Sequence, residues 1–389
     1  MTQTTVPNRA WGTKLAPSAD AITTPSIRQL EAISRATLND DVFGEDQTTS
    51  LFERQMAEVC GREAGAFVMT GTMANQLAIG ALCQHAPHGI RQDASAHVVN
   101  FEAGGLAHLS GATVQPVRPS NGLYLTVEDV AKMANVPAVS GTDTWTRWEI
   151  CPTKVVSLEN TAHGNVIPLS ELRAIKEWAS RRGVSVHIDG ARIWHAVASG
   201  RAGTLAEIAS CTDAMTLSFA KGVGAPIGAM VVGSAEVIRR VKRLRQSIGG
   251  GVRKTGVLAA AAREAVLENF GPGDTDARGV FGATHGMAET VTRMWTDRGG
   301  KLVRPTETNI VWLDLAGIGV TSRTLNDMGM RSGILIAAPR IVLHHQICTK
   351  ALVSLEQVFD DLLVRRQFGP AVGPGDLGVQ SKGCVQSML

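Results

Sequence analysis

The sequence predicts an α/β protein built on a mostly parallel sheet, divided into more than one compact unit. Three observations carry that prediction. Short apolar runs alternate with amphipathic stretches through the first two thirds of the chain, the pattern of strands joined by helical crossovers. Two of those runs end in Asp189 and Lys221, each followed at once by glycine; open parallel sheets collect ligands at such strand ends. And 389 residues exceed what a single hydrophobic core usually organises.

Residues 1–24 read as an N-terminal arm, irregular around Pro7 and Pro17. From Pro25 the pattern turns helical, breaks over 40–46, and resumes as a helix over 50–60 with an apolar face of Leu51, Met56 and Val59. Seven strands are expected, at 64–69, 98–101, 113–117, 154–158, 184–188, 214–217 and 229–232. Helices are expected after Thr70-Gly71-Thr72 and over 126–134, 170–182 and 203–209. Gly249-Gly-Gly251 interrupts the chain before an alanine-rich helix over 254–269, and Gly271-Pro-Gly273 reads as a boundary. A large domain over 25–272 therefore precedes a smaller α+β domain over 273–368, with a helix at 283–297, strands at 310–314 and 334–337, and a closing helix over 349–366. Residues 369–389, rich in Gly, Pro and Ser, read as a loose tail.

Composition removes several classes. A net charge of +3 and the lack of a basic stripe with interleaved aromatics argue against nucleic acid; the run Arg239-Arg-Val-Lys242-Arg243-Leu-Arg245 has the spacing of a solvated helix face. Six cysteines stand far apart, without the close spacing of a zinc site, so no metal is expected and a reducing, cytoplasmic setting suits them. No apolar run has the length of a membrane span, and the first residues carry no signal core. The ending Ser387-Met-Leu389 is similar to the peroxisomal Ser-Lys-Leu address but lacks its central basic residue.

The chemistry concentrates in a few residues. Lys221 follows Met215-Thr-Leu-Ser-Phe-Ala and precedes Gly222, Gly224 and Gly228. A lysine rooted at the edge of a core favours its neutral, nucleophilic amine. Asp189 ends the run Val-His-Ile, with Arg192 three residues on. An amine and a carboxylate on successive strand ends suit pyridoxal phosphate, which needs one for its aldehyde and the other for its ring nitrogen. Gly71 and Thr72 open a helix whose free N–H groups cradle phosphate; Ser218 is a second phosphate candidate, and His97 can stack on the ring. Taken singly, Lys221 also reads as a strand-end lysine reaching solvent, Asp189 as a turn cap, and His97 as a core histidine.

In this order the pieces resemble the L-threonine aldolase family, within the aspartate-aminotransferase-like class (fold type I) of pyridoxal phosphate enzymes. The resemblance runs from about Pro25 to Leu363 and rests on Phe43-Gly-Glu-Asp46, Thr70-Gly-Thr-Met-Ala-Asn75, Phe101-Glu-Ala-Gly-Gly105, Leu158-Glu-Asn-Thr161, His187-Ile-Asp-Gly-Ala-Arg192, Lys221-Gly-Val-Gly-Ala-Pro226 and Gly249-Gly-Gly-Val-Arg253. It implies a seven-stranded large domain and a smaller C-terminal domain. It implies Lys221 as the Schiff-base lysine, Asp189 as the pyridine partner, His97 as the stacking histidine and Gly71 and Thr72 as the phosphate turn. Arg253 is implied to reach a phosphate, often a neighbouring subunit's, and Arg340 to clamp the substrate carboxylate, with Ser18 and Arg192 also on the substrate side. Homodimers or homotetramers with shared sites are the implied assembly.

The chain departs from the family pattern where substrate meets protein. Ala19-Asp20-Ala21 stands for Ser-Asp-Thr, and Phe43 for tyrosine. Glu149 stands near the place of a histidine that handles the substrate hydroxyl, and no histidine lies between 109 and 162. The leading expectation is an aldolase that cleaves L-threonine or L-allo-threonine to glycine and an aldehyde, with Glu149, His163, His97 or water as base. The alternative is an alanine racemase of the fungal, threonine-aldolase-like type, which breaks Cα–H and needs no hydroxyl-handling histidine. A third is a non-catalytic homologue.

Overall fold

A computed structural model describes residues 13–136, 149–271 and 279–364. Two compact units emerge, one from Ala21 to His285, the other joining residues up to Asp20 with those from Gly286 onward.

The first unit is organised by a seven-stranded sheet. Its strands are β1 (Ala64–Val68), β2 (Gly89–Asp93), β3 (Thr113–Val117), β4 (Thr153–Glu159), β5 (Ser185–Gly190), β6 (Ala214–Ser218) and β7 (Ala229–Gly233), in the spatial order β1-β7-β6-β5-β4-β2-β3. The pairs β2–β3, β2–β4, β4–β5 and β5–β6 are parallel; β7 runs antiparallel to both neighbours. The expected mostly parallel sheet is thus present.

Side chains alternate across the sheet, and this alternation builds the site. Val186 and Ile188 of β5 and Met215 and Leu217 of β6 enter one apolar layer, beneath the helices Leu169–Ser180 and Leu205–Ser210. The opposite face carries His187, Asp189, Thr216 and Ser218, all buried, beneath the helix Gly71–Leu82. That helix is apolar nearly all round because the sheet covers one side and the helix Ala235–Ser247 packs nearby. Its first turn is fixed by Thr70, whose Oγ1 accepts the Met73 N–H at 3.1 Å.

One strand expectation is corrected. Residues 98–101 are not extended; His97–Asn100 is a single helical turn, and the strand in that region is β2. β2 reads Gly-Ile-Arg-Gln-Asp, yet all five residues are buried. A central strand carrying three polar side chains has no apolar alternation to betray it.

The second unit is smaller. β8 (Ile310–Trp312) and β9 (Arg340–Val342) pair antiparallel, with the helices Ser322–Arg331 and Thr349–Phe359 around a core that includes Trp295, Leu325 and Phe359. The strand expected over 334–337 lies instead at β9; Ile334 and Ile336 are buried without joining the ladder. Asp20 is fully buried in this unit and accepts a hydrogen bond from Asn309 Nδ2 at 3.2 Å. The tail expected over 369–389, with Ser387-Met-Leu389, lies outside the described residues. Among the described residues no helix is long and apolar enough to cross a membrane.

Candidate active site

The carboxyl ends of β4, β5 and β6 bring Glu159, Asp189 and Ser218 to one edge of the sheet. Gly190 makes the exit from β5 possible: a Cβ there would stand 2.1 Å from the Thr216 carbonyl oxygen. Only glycine permits so close an approach. Arg192 follows at the start of the helix Ile193–Ala198.

Asp189 is 5% exposed. Its Oδ2 accepts a hydrogen bond from Asn75 Nδ2 at 2.7 Å, and its Oδ1 accepts from the Ala191 N–H at 2.9 Å. The second hydrogen of Asn75 Nδ2 goes to Glu102 Oε1 at 2.9 Å, while Asn75 Oδ1 accepts from the Thr216 hydroxyl at 2.9 Å. Carboxylates only accept, so the orientation of this amide follows from its partners. Glu102 also accepts from Gln76 Nε2 at 2.5 Å and from His97 Nδ1 at 2.8 Å. A buried carboxylate thus sets the tautomer of His97, whose ring keeps about a third of its surface open (35%).

The charges interact. The hydrogen bond from Glu102 raises the pKa of His97 above its ordinary value, against the opposing effect of burial; Asp189 adds to the rise and Lys221 works against it. Glu159 lies across from Asp189 in the β4–β5 register and accepts the His97 backbone N–H at 3.1 Å. Burial first, then the Asp189 charge, push the Glu159 carboxyl up to about 7, with Lys221 and Arg192 among the cations that moderate the shift. Lys221, Arg192, Asp189 and His97 therefore share one electrostatic neighbourhood. The Lys221 backbone is pinned through its carbonyl, which accepts from Thr23 Oγ1 at 2.9 Å and from the Gly224 N–H at 2.8 Å.

The residues expected from the sequence divide by place. The structure groups Lys221, Asp189, His97 and Arg192, puts Ser218 on the same sheet face, and starts the helix that bears Asn75 at Gly71 and Thr72. His163 lies on the loop after β4, also at the carboxyl edge, with Nε2 2.9 Å from Ser95 Oγ. Glu149 is exposed and precedes β4, so a seven-residue strand, on the order of 20 Å, separates it from that edge. Arg253 is 63% exposed, ion-paired with Asp40, and its guanidinium stands 5.7 Å from the Phe43 ring centre. Ser18 and Arg340 belong to the second unit. Asn75, Glu102, Glu159 and Thr23 complete the site without having been singled out as site residues. The first three fall inside motifs that carry the resemblance; only the fold shows what they touch.

His97 Nδ1, a Glu102 oxygen and an Asp189 oxygen lie within 4.8 Å of one another, a spacing that also suits a cation. Here Asn75 donates to both carboxylates and His97 to Glu102, so N–H groups already supply the positive side of the cluster.

The family model for beta-eliminating lyases matches residues 18–317. The chain belongs to the beta-eliminating lyase family. This family member is 47% identical over 345 residues to the alanine racemase TOXG of Cochliobolus carbonum (89% of this chain, 86% of the relative). It is 42% identical to the aldolase vrtJ of Penicillium aethiopicum (89% and 85%). It is also 36% identical to the low-specificity L-threonine aldolase of Eremothecium gossypii (87% and 85%). In three dimensions this lyase-family chain matches the crystal structure of a putative L-allo-threonine aldolase from Listeria monocytogenes with a TM-score of 0.70, covering 90% of this chain and 98% of that one at 20% identity. The expected fold is confirmed.

Proposed function

We propose that the protein binds pyridoxal 5'-phosphate and cleaves β-hydroxy-α-amino acids such as L-threonine and L-allo-threonine to glycine and an aldehyde. The carrying observation is the Asp189–Asn75–Glu102–His97 network beside Lys221, in a chain related over most of its length to threonine aldolases. The residues fit the cofactor. The Gly71 position is open, with nothing within 4 Å of an added Cβ, and the N–H groups of its first helical turn have no intrahelical acceptor.

When bound, the cofactor supplies an aldehyde for amines and a ring that withdraws electrons from the substrate Cα. Lys221 offers the amine that holds the aldehyde. Asp189 offers a carboxylate that keeps a proton on the ring nitrogen, with Asn75 and the Ala191 N–H fixing its plane. Gly71, Thr72 and Ser218 offer donors to the phosphate, helped by the helix dipole. Glu102, buried behind His97, holds the imidazole in one orientation against the ring. Arg192 offers a cation to the ring oxygen or the substrate. These groups are assembled before any ligand arrives, which lowers the reorganisation needed during reaction.

Incubation of the loaded protein with L-threonine or L-allo-threonine is expected to release glycine and acetaldehyde. Borohydride reduction followed by peptide mapping is expected to place the cofactor on Lys221. A loaded protein that releases no aldehyde defeats the aldolase reading, whereas a label elsewhere, or none, defeats the cofactor reading.

Alanine racemisation is the second reading, favoured by the 47% identity to the alanine racemase TOXG and by Glu149 standing away from the site edge. Formation of D-alanine from L-alanine in deuterated water, with deuterium at Cα, would select it. As partner we propose a second copy of this chain: Arg253, implied to reach a neighbour's phosphate, is exposed beside Phe43, itself 72% exposed. Light scattering that finds a monomer at micromolar concentration would exclude that assembly. A cytoplasmic location remains the proposal that suits the scattered cysteines.

A further inference from the structure

The loop after β4 holds His163 in an uncommon backbone conformation. Its φ is +53°, the left-handed region that non-glycine residues enter rarely and that often marks a functional position. The side chain is tied down as well. Asp93, 9% exposed, accepts both the Ser95 N–H and the Ser95 hydroxyl at 2.7 Å. The hydroxyl's only hydrogen is spent there, so the contact of 2.9 Å between Ser95 Oγ and His163 Nε2 has the ring donating. The neutral imidazole then carries its proton on Nε2 and keeps Nδ1 as acceptor. Ser95 and His163 line one narrow cavity with Ala96 and Glu159, and Glu159 is the residue that receives the His97 backbone N–H. The other candidates for proton acceptor are less well placed. Glu149 precedes β4, at the amino end of that strand, and His97 Nδ1 is committed to Glu102.

We propose that His163, oriented by Ser95 and Asp93, is the base that takes the β-hydroxyl proton of the substrate; the proposal rests on the aldolase reading. His163 Nδ1 gains the proton, and the O–H electron pair becomes the second bond of the aldehyde carbonyl. The Cα–Cβ bond breaks, its pair stays with Cα, and a proton returned to Cα completes glycine. Ser95 and Asp93 are positioning residues, a hydroxyl-bridged counterpart of the base-and-orienter pairs found in hydrolases.

The test uses the cofactor-loaded protein and the His163→Asn variant, since asparagine tolerates the left-handed backbone. Expected is a loss in threonine cleavage of about 10²- to 10³-fold in kcat, with the cofactor spectrum and the exchange of glycine Cα hydrogens retained. Ser95→Ala is expected to lower kcat with KM unchanged, and Ser95→Thr to restore it. In the cofactor-free protein, long-range proton–nitrogen NMR is expected to find neutral His163 protonated on Nε2. Threonine cleavage by folded, loaded His163→Asn at the wild-type rate overturns the assignment. So does equal loss of glycine exchange, or a ring protonated on Nδ1. If the wild type exchanges glycine but cleaves no β-hydroxy amino acid, the aldolase reading falls first and takes this base with it.

Discussion

Asn75 Nδ2 stands 2.7 Å from Asp189 Oδ2 and 2.9 Å from Glu102 Oε1, so one amide group bridges two buried carboxylates. Each carboxylate has a different task, one beneath the expected ring nitrogen and one behind His97. Without the bridge, two like charges would face each other in a medium of low dielectric.

Replacing Asn75 with alanine is therefore expected to cost more than a lost hydrogen bond. About 1–3 kcal/mol of stability should go with the unsatisfied acceptors, and cofactor affinity should fall because Asp189 loses its orientation. Urea denaturation with cofactor titration checks both effects.

His97 sets a pH dependence of definite sign. Its folded pKa is raised by Glu102, so its contribution to stability is complete below the unfolded value and is lost as pH rises through the folded one. The stability difference between wild type and His97→Gln should be largest near pH 5 and shrink through neutral and alkaline pH. Denaturation midpoints across that range measure it.

His187 acts in the opposite direction. It is fully buried, its Nδ1 lies 3.0 Å from Ser157 Oγ, and burial depresses its pKa to about 4. Between the ordinary histidine value and that depressed one, the unfolded chain binds more protons, so stability drops as the solution is acidified. At pH 4 the loss is on the order of 3 kcal/mol relative to neutral pH. His187→Gln should flatten this part of the acid profile, and a variant with unchanged acid sensitivity would refute the assignment.

Two glycines separate folding from ligand binding. Gly190→Ala places a methyl against a backbone carbonyl and is expected to destabilise by more than about 3 kcal/mol or to abolish soluble expression. Gly71→Ala meets open space, so its thermal midpoint should match the wild type while its affinity for the cofactor phosphate declines. Calorimetry and a phosphate or cofactor titration distinguish the two.

Much of the site could be read from the chain because its residues end strands. Asp189 and Lys221 each close an apolar run just before a glycine, and that local pattern needs no tertiary information. β2 was missed for a physical reason: Arg91, Gln92 and Asp93 are buried by neighbouring strands on both sides, so burial left no trace in hydropathy. The strand expected at 98–101 failed conversely, since Val98 and Val99 are apolar but belong to one turn of helix that aims His97 at Glu102.

Local order along the chain determined the alternating α/β architecture, the amine and carboxylate on successive strand ends, and the glycines that let the backbone turn there. Tertiary structure decided which groups meet. The pairing of Glu102 with His97, the bridging by Asn75, and the position of His163 rather than Glu149 at the carboxyl edge depend on strand order and side-chain alternation. Those are products of long-range packing, which no stretch of sequence encodes by itself.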